Sequence, residues 1–315
     1  MLTNLPFTLS ALRAAYAAGT NPADVIDEIF SRLDRVNDPG IFIHLRDRES
    51  LKAEAAALGA YDPAMPLWGI PYAAKDNIDV SGIETTAGCP AYAYLPQNDA
   101  FVIAHLRAAG AMMIGKTNLD QFATGLVGIR TPYGAPLNAV DPEIVPGGSS
   151  GGSGVIVGHG IVTFSLGTDT AGSGRVPAAL NNIVGLKPTL GAISASGVVP
   201  ACRTLDTVSI FALTVDDAYE APFDPEALGL AGVKVLRFES NRGFLRACNS
   251  AVTSALGRRV LLLNNDTQVL AGAIDALWQT FDRFSDVGAV GAKLLYPNGL
   301  LQEAGGIVWR DGSGW

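Results

Sequence analysis

The 315-residue chain is predicted to adopt an α/β fold in which helices cover a sheet. Short apolar runs typical of buried strands, at residues 67–74 and 111–115, alternate with amphipathic helical segments at 21–36 and 100–109. Hydrophobic residues make up 48% of the chain and charged residues 17%, which excludes a disordered protein. No apolar run approaches the roughly 18 residues that a membrane-spanning helix needs, so no membrane partner is expected.

The first 60 residues are predicted to be helical. In the best-defined segment, apolar residues recur on one helical stripe at Val25, Ile29 and Leu33. Asn21 and Pro22 suit the cap and the first turn of that helix. The elements expected in order are helices at 10–18, 21–36 and 50–58, a strand at 67–74, a helix at 100–109 and a strand at 111–115.

Residues 147–197 are rich in glycine, with 13 glycines in 51 residues. Apolar blocks at 155–157 and 161–166 separate these glycines, so the segment is not a flexible linker. We expect turns with positive φ and close approach of the backbone to other groups. The phosphate-loop pattern GxxxxGK[ST] is absent, which argues against a nucleotide site here.

Three residues suggest chemistry, namely Lys75, Ser149 and Ser173. Lys75 follows an apolar strand, and burial of its ammonium would lower its pKa and make it a general base. Ser149 lies in PGGSSGGSG and Ser173 in GTDTAGSGR, where backbone amides can point at an oxyanion. From these residues alone, a lysine in a rim ion pair and glycine-serine clusters in tight turns remain open alternatives.

Several other classes are disfavoured by composition. The isoelectric point near 4.9 and the lack of a basic run argue against nucleic acid as a partner. The three histidines stand in unrelated contexts, which argues against a Ser-His-Asp triad, and the three cysteines form no metal-binding or disulfide pattern. The first residues lack the basic start of a signal peptide, so we expect a cytoplasmic protein.

Residues 65–220 resemble the amidase-signature hydrolases. Five motifs in the order of that family carry the resemblance: GIPYAAKDNIDVSG at 69–82, GKTNLDQFATG at 115–125, PGGSSGGSG at 146–154, GTDTAGSGRVPA at 167–178 and GLKPTLG at 185–191. The resemblance implies a mixed sheet covered by helices, of which residues 1–220 would form only the amino-terminal part. It also implies a C–N hydrolase that acts on a small-molecule amide without a cofactor.

The same resemblance assigns roles to individual residues. Lys75 matches the catalytic lysine, Ser149 the serine that follows a cis peptide bond, and Ser173 the acyl-enzyme nucleophile. The backbone amides expected in the oxyanion hole belong to Thr170, Ala171, Gly172 and Ser173, and the supporting residues are Ser150 beside the lysine and Asp169 and Arg175 in the glycine loop. Within the family, TDTAGSGRVPAALNN and the stretch at 197–218 resemble allophanate hydrolases, which convert allophanate to ammonia and carbon dioxide.

The chain after residue 220 resembles a different family. Residues 241–252, 258–277 and 287–315 are similar to the middle of family-2-type glycosyltransferases, which implies a partial Rossmann-like nucleotide-sugar transferase segment at 233–315. By that resemblance Asp266 would hold a divalent metal, Mg²⁺ or Mn²⁺. The expected elements are strands at 233–238, 260–263 and 288–295 and helices at 243–256 and 273–284.

A change in charge accompanies the change in resemblance. Residues 1–220 carry 13 Lys/Arg and 21 Asp/Glu, a net charge of −8, whereas residues 221–315 carry nine of each. We therefore expect a chimera with a seam at 221–232. Three functions stay open: an amidohydrolase, a metal-dependent glycosyltransferase fragment, or a chimera in which truncation has removed both activities. No oligomeric state follows from the sequence.

Overall fold

The computed structural model describes residues 2–220, 250, 252–253, 272–283, 294–295 and 301–303. The chain forms two compact units, residues 1–266 and residues 267–315. The six-stranded sheet and all the predicted amidase-like motifs lie in the first unit.

The four helices predicted in residues 1–110 begin and end close to their predicted positions. Helix α2 starts with Asn21 as its cap, whose side chain accepts a hydrogen bond from the amide of Ala23 at 2.9 Å. Its buried residues include Val25 and Ile29, which confirms the predicted stripe. The helices are α1 Leu9–Ala17, α2 Pro22–Val36, α3 Arg48–Ala57, α4 Phe101–Ala108, α5 Gly151–Gly158, α6 Val176–Leu180 and α7 Val215–Glu220.

The sheet is mixed, as predicted. Its strands are β1 Phe42–Leu45, β2 Pro71–Lys75, β3 Met112–Thr117, β4 Phe164–Asp169, β5 Val184–Leu186 and β6 Thr207–Ala212, in the spatial order β1-β3-β2-β4-β6-β5. Strand β2 pairs in parallel with β3 and β4, and the other pairs are antiparallel. The carboxyl ends of the three parallel strands therefore meet at one edge of the sheet, where Lys75, Thr117 and Asp169 are the last strand residues.

The core surrounds the centre of this sheet. Every residue of β2, β3, β4 and β6 is buried. A strand that is covered on both faces needs a continuous apolar run instead of an alternating one, which explains the runs that predicted these strands. The predicted strand at 67–74 is shorter than expected, because only its second half, from Pro71, pairs with neighbours.

The structure differs from expectation in the glycine-rich segment. Residues 151–158 form helix α5, whereas turns were predicted there. The helix packs so closely on its neighbours that a Cβ atom on Gly152 would lie 2.3 Å from the carbonyl oxygen of Ile41. The glycines at these positions therefore permit close packing, and the positive φ angles occur in the flanking loops, at Gly147 and Gly172.

The second unit has few described elements. They are helix α8 at Ala273–Arg283, which confirms the predicted helix at 273–284, and the antiparallel strands β7 Leu294–Leu295 and β8 Leu301–Glu303. The predicted elements at 233–238 and 260–263, most of the helix at 243–256, the seam at 221–232 and Asp266 lie outside the described residues. In the part of the chain that is described, no helix has both the length and the apolar character needed to cross a membrane.

Candidate active site

Lys75 is fully buried at the carboxyl end of β2. Its Nζ donates two hydrogen bonds, to Ser149 Oγ and to Thr168 Oγ1, both at 2.7 Å. Both acceptors are neutral hydroxyls, and no carboxylate among the described residues lies within ion-pair distance of Nζ. The structure thus brings together two of the three residues that the sequence singled out, and it adds Thr168.

Burial without an ion pair changes the proton affinity of Lys75. Desolvation lowers the pKa of its ammonium to about 7, although the negative charges of Asp120, Asp169 and Asp206 act in the opposite direction. A large fraction of Lys75 is therefore neutral at neutral pH, and a neutral amine can accept a proton.

Ser149 lies in a loop that the surrounding backbone holds tightly. The peptide bond between Gly148 and Ser149 is cis, as the family resemblance implies. The carbonyl of Ser149 accepts a hydrogen bond from the amide of Asp120 at 3.0 Å. The side chain of Ser149 is fully buried, with Lys75 Nζ as its hydrogen-bond partner.

Ser150 supports Lys75 less directly than the resemblance implies. Its Oγ donates to the carbonyl of Thr168 at 3.2 Å and accepts from the amide of Thr168 at 3.3 Å. The second hydroxyl that contacts Lys75, besides that of Ser149, belongs to Thr168 itself, which was not singled out from the sequence. The only available signal was its position beside Asp169 at the end of β4, the strand that pairs with β2.

Ser173 is buried next to the loop that precedes the Ser149 segment. Its Oγ donates to the carbonyl of Gly125 at 3.5 Å, and among the described residues no hydrogen bond joins it to Ser149. The next residue of that loop, Leu126, accepts the amide of Gly148 at 2.9 Å. One loop therefore contacts both serine segments. Catalytic hydrogen bonds are often long or misaligned before substrate binds, so this geometry leaves a relay between the two serines open.

Asp169 shapes the loop at 170–173. Its carboxylate accepts the amides of Gly172 at 2.8 Å and Gly174 at 3.0 Å, and the guanidinium of Arg175 contacts it twice at 3.0 Å. Burial alone would raise the pKa of Asp169, but these hydrogen bonds hold it below its usual value. Asp169 and Arg175 thus hold the glycine loop, the arrangement that the resemblance implies for them.

The predicted oxyanion hole is only partly available in this conformation. The amide of Gly172 is engaged by Asp169, so it is not free to bind an oxyanion. The structure gives the amides of Thr170, Ala171 and Ser173 no acceptor among the described residues. Three of the four predicted donors therefore remain available.

Asp206 holds the other side of the same loop, and sequence reasoning missed it. The hydroxyl of Thr170 donates to Asp206 Oδ1, and the amides of Ala201 and Cys202 donate to the same carboxylate at 2.9 and 3.0 Å. These contacts join the segment before β6 to the predicted oxyanion loop. Asp206 precedes β6 directly, and no motif in the sequence marked it.

A buried ion pair lies directly beside the site. Asp76, the residue after Lys75, contacts Lys116 Nζ at 3.1 Å, and both side chains are fully buried. Asp76 also accepts the amide of Thr86 at 2.9 Å, and Lys116 donates to Thr85 Oγ1 at 3.1 Å. Burial lowers the pKa of Lys116, while Asp76 opposes this effect. The pair links β2 and β3 to the segment at 85–86.

No group of three or more His, Cys, Asp and Glu side chains suited to a metal ion occurs among the residues that the structure describes. Asp266, the metal ligand expected under the glycosyltransferase alternative, is not among those residues.

Comparisons with known proteins find relatives of the first unit. Urea amidolyase from Saccharomyces cerevisiae is 64% identical over 154 residues, which are 49% of this chain and 8% of the relative. A glutamyl-tRNA(Gln) amidotransferase chain from Oleidesulfovibrio alaskensis is 41% identical over 67% of this chain and 44% of its own length. The chain thus spans less than half of each of these relatives.

The chain is also similar to a solved structure. Selenomethionine-substituted allophanate hydrolase from Kluyveromyces lactis superposes with a TM-score of 0.63 at 46% identity, over 75% of this chain and 39% of that one. A model of glycosyl transferase family 2 matches residues 213–305, most of which the structure does not describe. The amidase family model matches residues 24–221, which is more than half of the chain and contains Lys75, Ser149 and Ser173. The chain belongs to the amidase family.

Proposed function

We propose that the first unit contains a C–N hydrolase site, in which Lys75, Ser149 and Ser173 perform the chemistry. The observation that carries the proposal is the 2.7 Å hydrogen bond between the fully buried Nζ of Lys75 and Ser149 Oγ. A buried lysine with a pKa of about 7 and no ion pair is unusual for a structural residue, because buried charges normally have a partner. It is suited to a general base.

The proposed reaction has two halves. Neutral Lys75 accepts the proton of Ser149, Ser149 accepts the proton of Ser173, and Ser173 Oγ attacks the amide carbonyl. The amides of Thr170, Ala171 and Ser173 bind the oxyanion. When the C–N bond breaks, the relay returns the proton to the leaving amine. Water then attacks the acyl-enzyme with the same relay as its base, which releases the acid and restores the Ser173 hydroxyl.

Ser173 must reorient before this reaction begins. Its hydroxyl donates to the carbonyl of Gly125 in the structure, at the long distance of 3.5 Å. The proposed relay requires a rotation of the Ser173 side chain that exchanges this weak contact for a hydrogen bond to Ser149. Such a rotation within a hydroxyl side chain is fast on the timescale of turnover.

For the substrate, we propose allophanate or a closely similar small amide. Support comes from the 64% identity to a urea amidolyase and the 46% identity to an allophanate hydrolase. The runner-up is a carboxamide substrate like that of a glutamyl-tRNA(Gln) amidotransferase, to which the identity is 41%. The chain covers 8% of the yeast urea amidolyase, so the other activities of that protein are not transferred to this chain.

Ammonia release distinguishes these substrates. The purified full chain is incubated with allophanate, and in parallel with glutamine or a simple aliphatic amide. We expect ammonia from allophanate at a rate that Ser173→Ala abolishes. Ammonia from glutamine but not from allophanate would replace the first substrate with the second. Release that survives in Ser173→Ala would refute the proposed nucleophile.

A second candidate function rests on the family-2 match at residues 213–305. The family-2 match overlaps the amidase match at residues 213–221, next to the predicted seam at 221–232. This position supports a join between segments of two different families. A glycosyltransferase fragment requires nucleotide-sugar binding that depends on Mn²⁺ or Mg²⁺ and on Asp266. Calorimetry with a UDP-sugar, with and without Mn²⁺, on wild type and Asp266→Asn tests it. If the chain is a chimera in which both activities are lost, we expect no ammonia release and no nucleotide-sugar binding.

A further inference from the structure

Asp120 is a fully buried carboxylate that takes no part in the proposed proton relay. It follows β3 in the GKTNLDQFATG motif. Its two oxygens accept backbone amides, Oδ1 from Arg130 at 2.8 Å and Oδ2 from Gly128 at 3.0 Å. No cationic side chain among the described residues lies within ion-pair distance of it. A buried carboxylate without a cation beside it depends on hydrogen-bond donors for its stabilisation.

The carboxylate of Asp120 lies between the two serine segments. A Cβ atom on Gly148, the residue before Ser149, would lie 2.1 Å from Asp120 Oδ2. A Cβ atom on Gly125, whose carbonyl accepts Ser173 Oγ, would lie 2.5 Å from the same oxygen. Both positions therefore require glycine because the carboxylate occupies that space. Movement of Asp120 would displace both segments together.

Asp120 also differs from the other carboxylates that act on Lys75. The charged groups that raise the proton affinity of Lys75 are Asp120, Asp169 and Asp206. Asp169 is neutralised by Arg175, with two contacts at 3.0 Å. Asp206 accepts the Thr170 hydroxyl and two backbone amides and retains a small exposed area. Asp120 is fully buried and has no cation of its own, so its field is the least compensated of the three.

The buried ammonium form of Lys75, in turn, requires negative charge nearby to offset its desolvation. Its ammonium form is fully buried, and both of its acceptors are neutral hydroxyls. The charge that offsets its desolvation must therefore come from carboxylates beyond direct contact. Inside a protein, such interactions act over longer distances than at the surface, because solvent does not screen them.

We propose that Asp120 is a positioning residue with an electrostatic role, in which it fixes the Gly148–Ser149 and Gly125 segments around the nucleophile and sets the proton affinity of Lys75. The inference rests on the proposed function, since it assigns Asp120 a role in that same relay. A purely structural Asp120 would affect the amount of competent enzyme. An electrostatic Asp120 also changes the pH at which Lys75 loses its proton.

The test is the pH dependence of Ser173 labelling by a fluorophosphonate in the full chain. In wild type we expect a loss of rate on the acid side with a midpoint near pH 7. Removing the negative charge in Asp120→Asn destabilises the ammonium form, so the midpoint should fall by about one pH unit, a roughly tenfold change in proton affinity. Asp120→Glu keeps the charge and alters the shape, so its midpoint should stay at the wild-type value while the rate falls.

Asp27→Asn serves as the matched control, because Asp27 is a half-exposed carboxylate paired with Arg48 and Lys52. We expect its rate and midpoint to equal those of wild type. An unshifted midpoint in a folded, labelled Asp120→Asn protein would overturn the proposal and leave the proposed function intact. Failure of both Asp120 variants to fold, when Asp27→Asn folds, would also overturn it in favour of a structural role. Absence of wild-type labelling would instead refute the proposed function, and this proposal with it.

Discussion

Thr168 makes a contact with Lys75 that a single isosteric substitution removes. Thr168 Oγ1 lies 2.7 Å from Lys75 Nζ in a buried environment. Thr168→Val retains the branched shape but offers no acceptor, so one N–H of Lys75 loses its partner. An unsatisfied buried donor costs on the order of 1–3 kcal/mol. If about 1.5 kcal/mol of this cost falls on the orientation of the neutral amine, acylation of Ser173 slows roughly tenfold.

The assay is the rate of fluorophosphonate labelling at pH 9, where Lys75 is neutral in both proteins. Thr163→Val is the matched control, because Thr163 is fully buried directly before β4 and its hydroxyl has no partner among the described residues. We expect the control to label within about twofold of wild type, and Thr168→Ser to recover most of the lost rate. An unchanged rate in Thr168→Val, or an equal loss in Thr163→Val, would refute the argument.

Three further predictions concern the pH profile, the Ser149 loop and the buried ion pair. Because neutral Lys75 is the proposed base and burial lowers its pKa to about 7, the rate should fall about tenfold per pH unit below that value, measured by labelling between pH 5 and 9. Gly148→Ala should abolish labelling, because the added Cβ would lie 2.1 Å from Asp120 Oδ2. Lys116→Met should lower the free energy of unfolding by about 3–5 kcal/mol in urea denaturation, because it removes the cationic partner of the fully buried Asp76 carboxylate.

Each of these predictions has a control variant or an outcome that would contradict it. A flat profile between pH 5 and 7 would contradict the assignment of Lys75 as the base. Gly151→Ala adds a Cβ with ordinary contacts, the nearest at 3.5 Å, and should fold and label. The double variant Lys116→Met/Asp76→Leu removes both charges and should recover part of the lost stability. If Lys116→Met is as stable as wild type, the prediction that loss of the Lys116 cation destabilises the core is wrong.

The sequence predicted the α/β class and the sheet because strands buried on both faces need continuous apolar runs. The runs at 67–74 and 111–115 contain most of β2 and of β3. The strand β1 was missed, because its partly exposed residues occupy only four positions between two helices. Helix α5 was missed for a different reason. Glycine disfavours an isolated helix, and only the tertiary contact near Ile41 explains its use here.

The site residues that lie in recognisable motifs were predictable from the sequence. The contacts that depend on the pairing of strands were not. Lys75 and Ser149 were singled out by their motifs, and the structure brings Lys75 Nζ and Ser149 Oγ within 2.7 Å. Thr168 reaches Lys75 only because β2 and β4 are neighbours in a particular register, which no local pattern encodes. The use of the Gly172 amide by Asp169 depends on loop geometry and was likewise beyond prediction from sequence. The expected metal ligand Asp266 lies outside the described residues and stays a prediction.

The central claim is that Ser173 is a nucleophile activated by Lys75 through Ser149. The most direct measurement is peptide mass spectrometry of the full chain after reaction with a fluorophosphonate at pH 8. We predict a single adduct on Ser173 that disappears in Ser173→Ala and is strongly reduced in Lys75→Ala. A folded wild-type protein without an adduct, or with an adduct that forms equally fast in Lys75→Ala, would contradict the account.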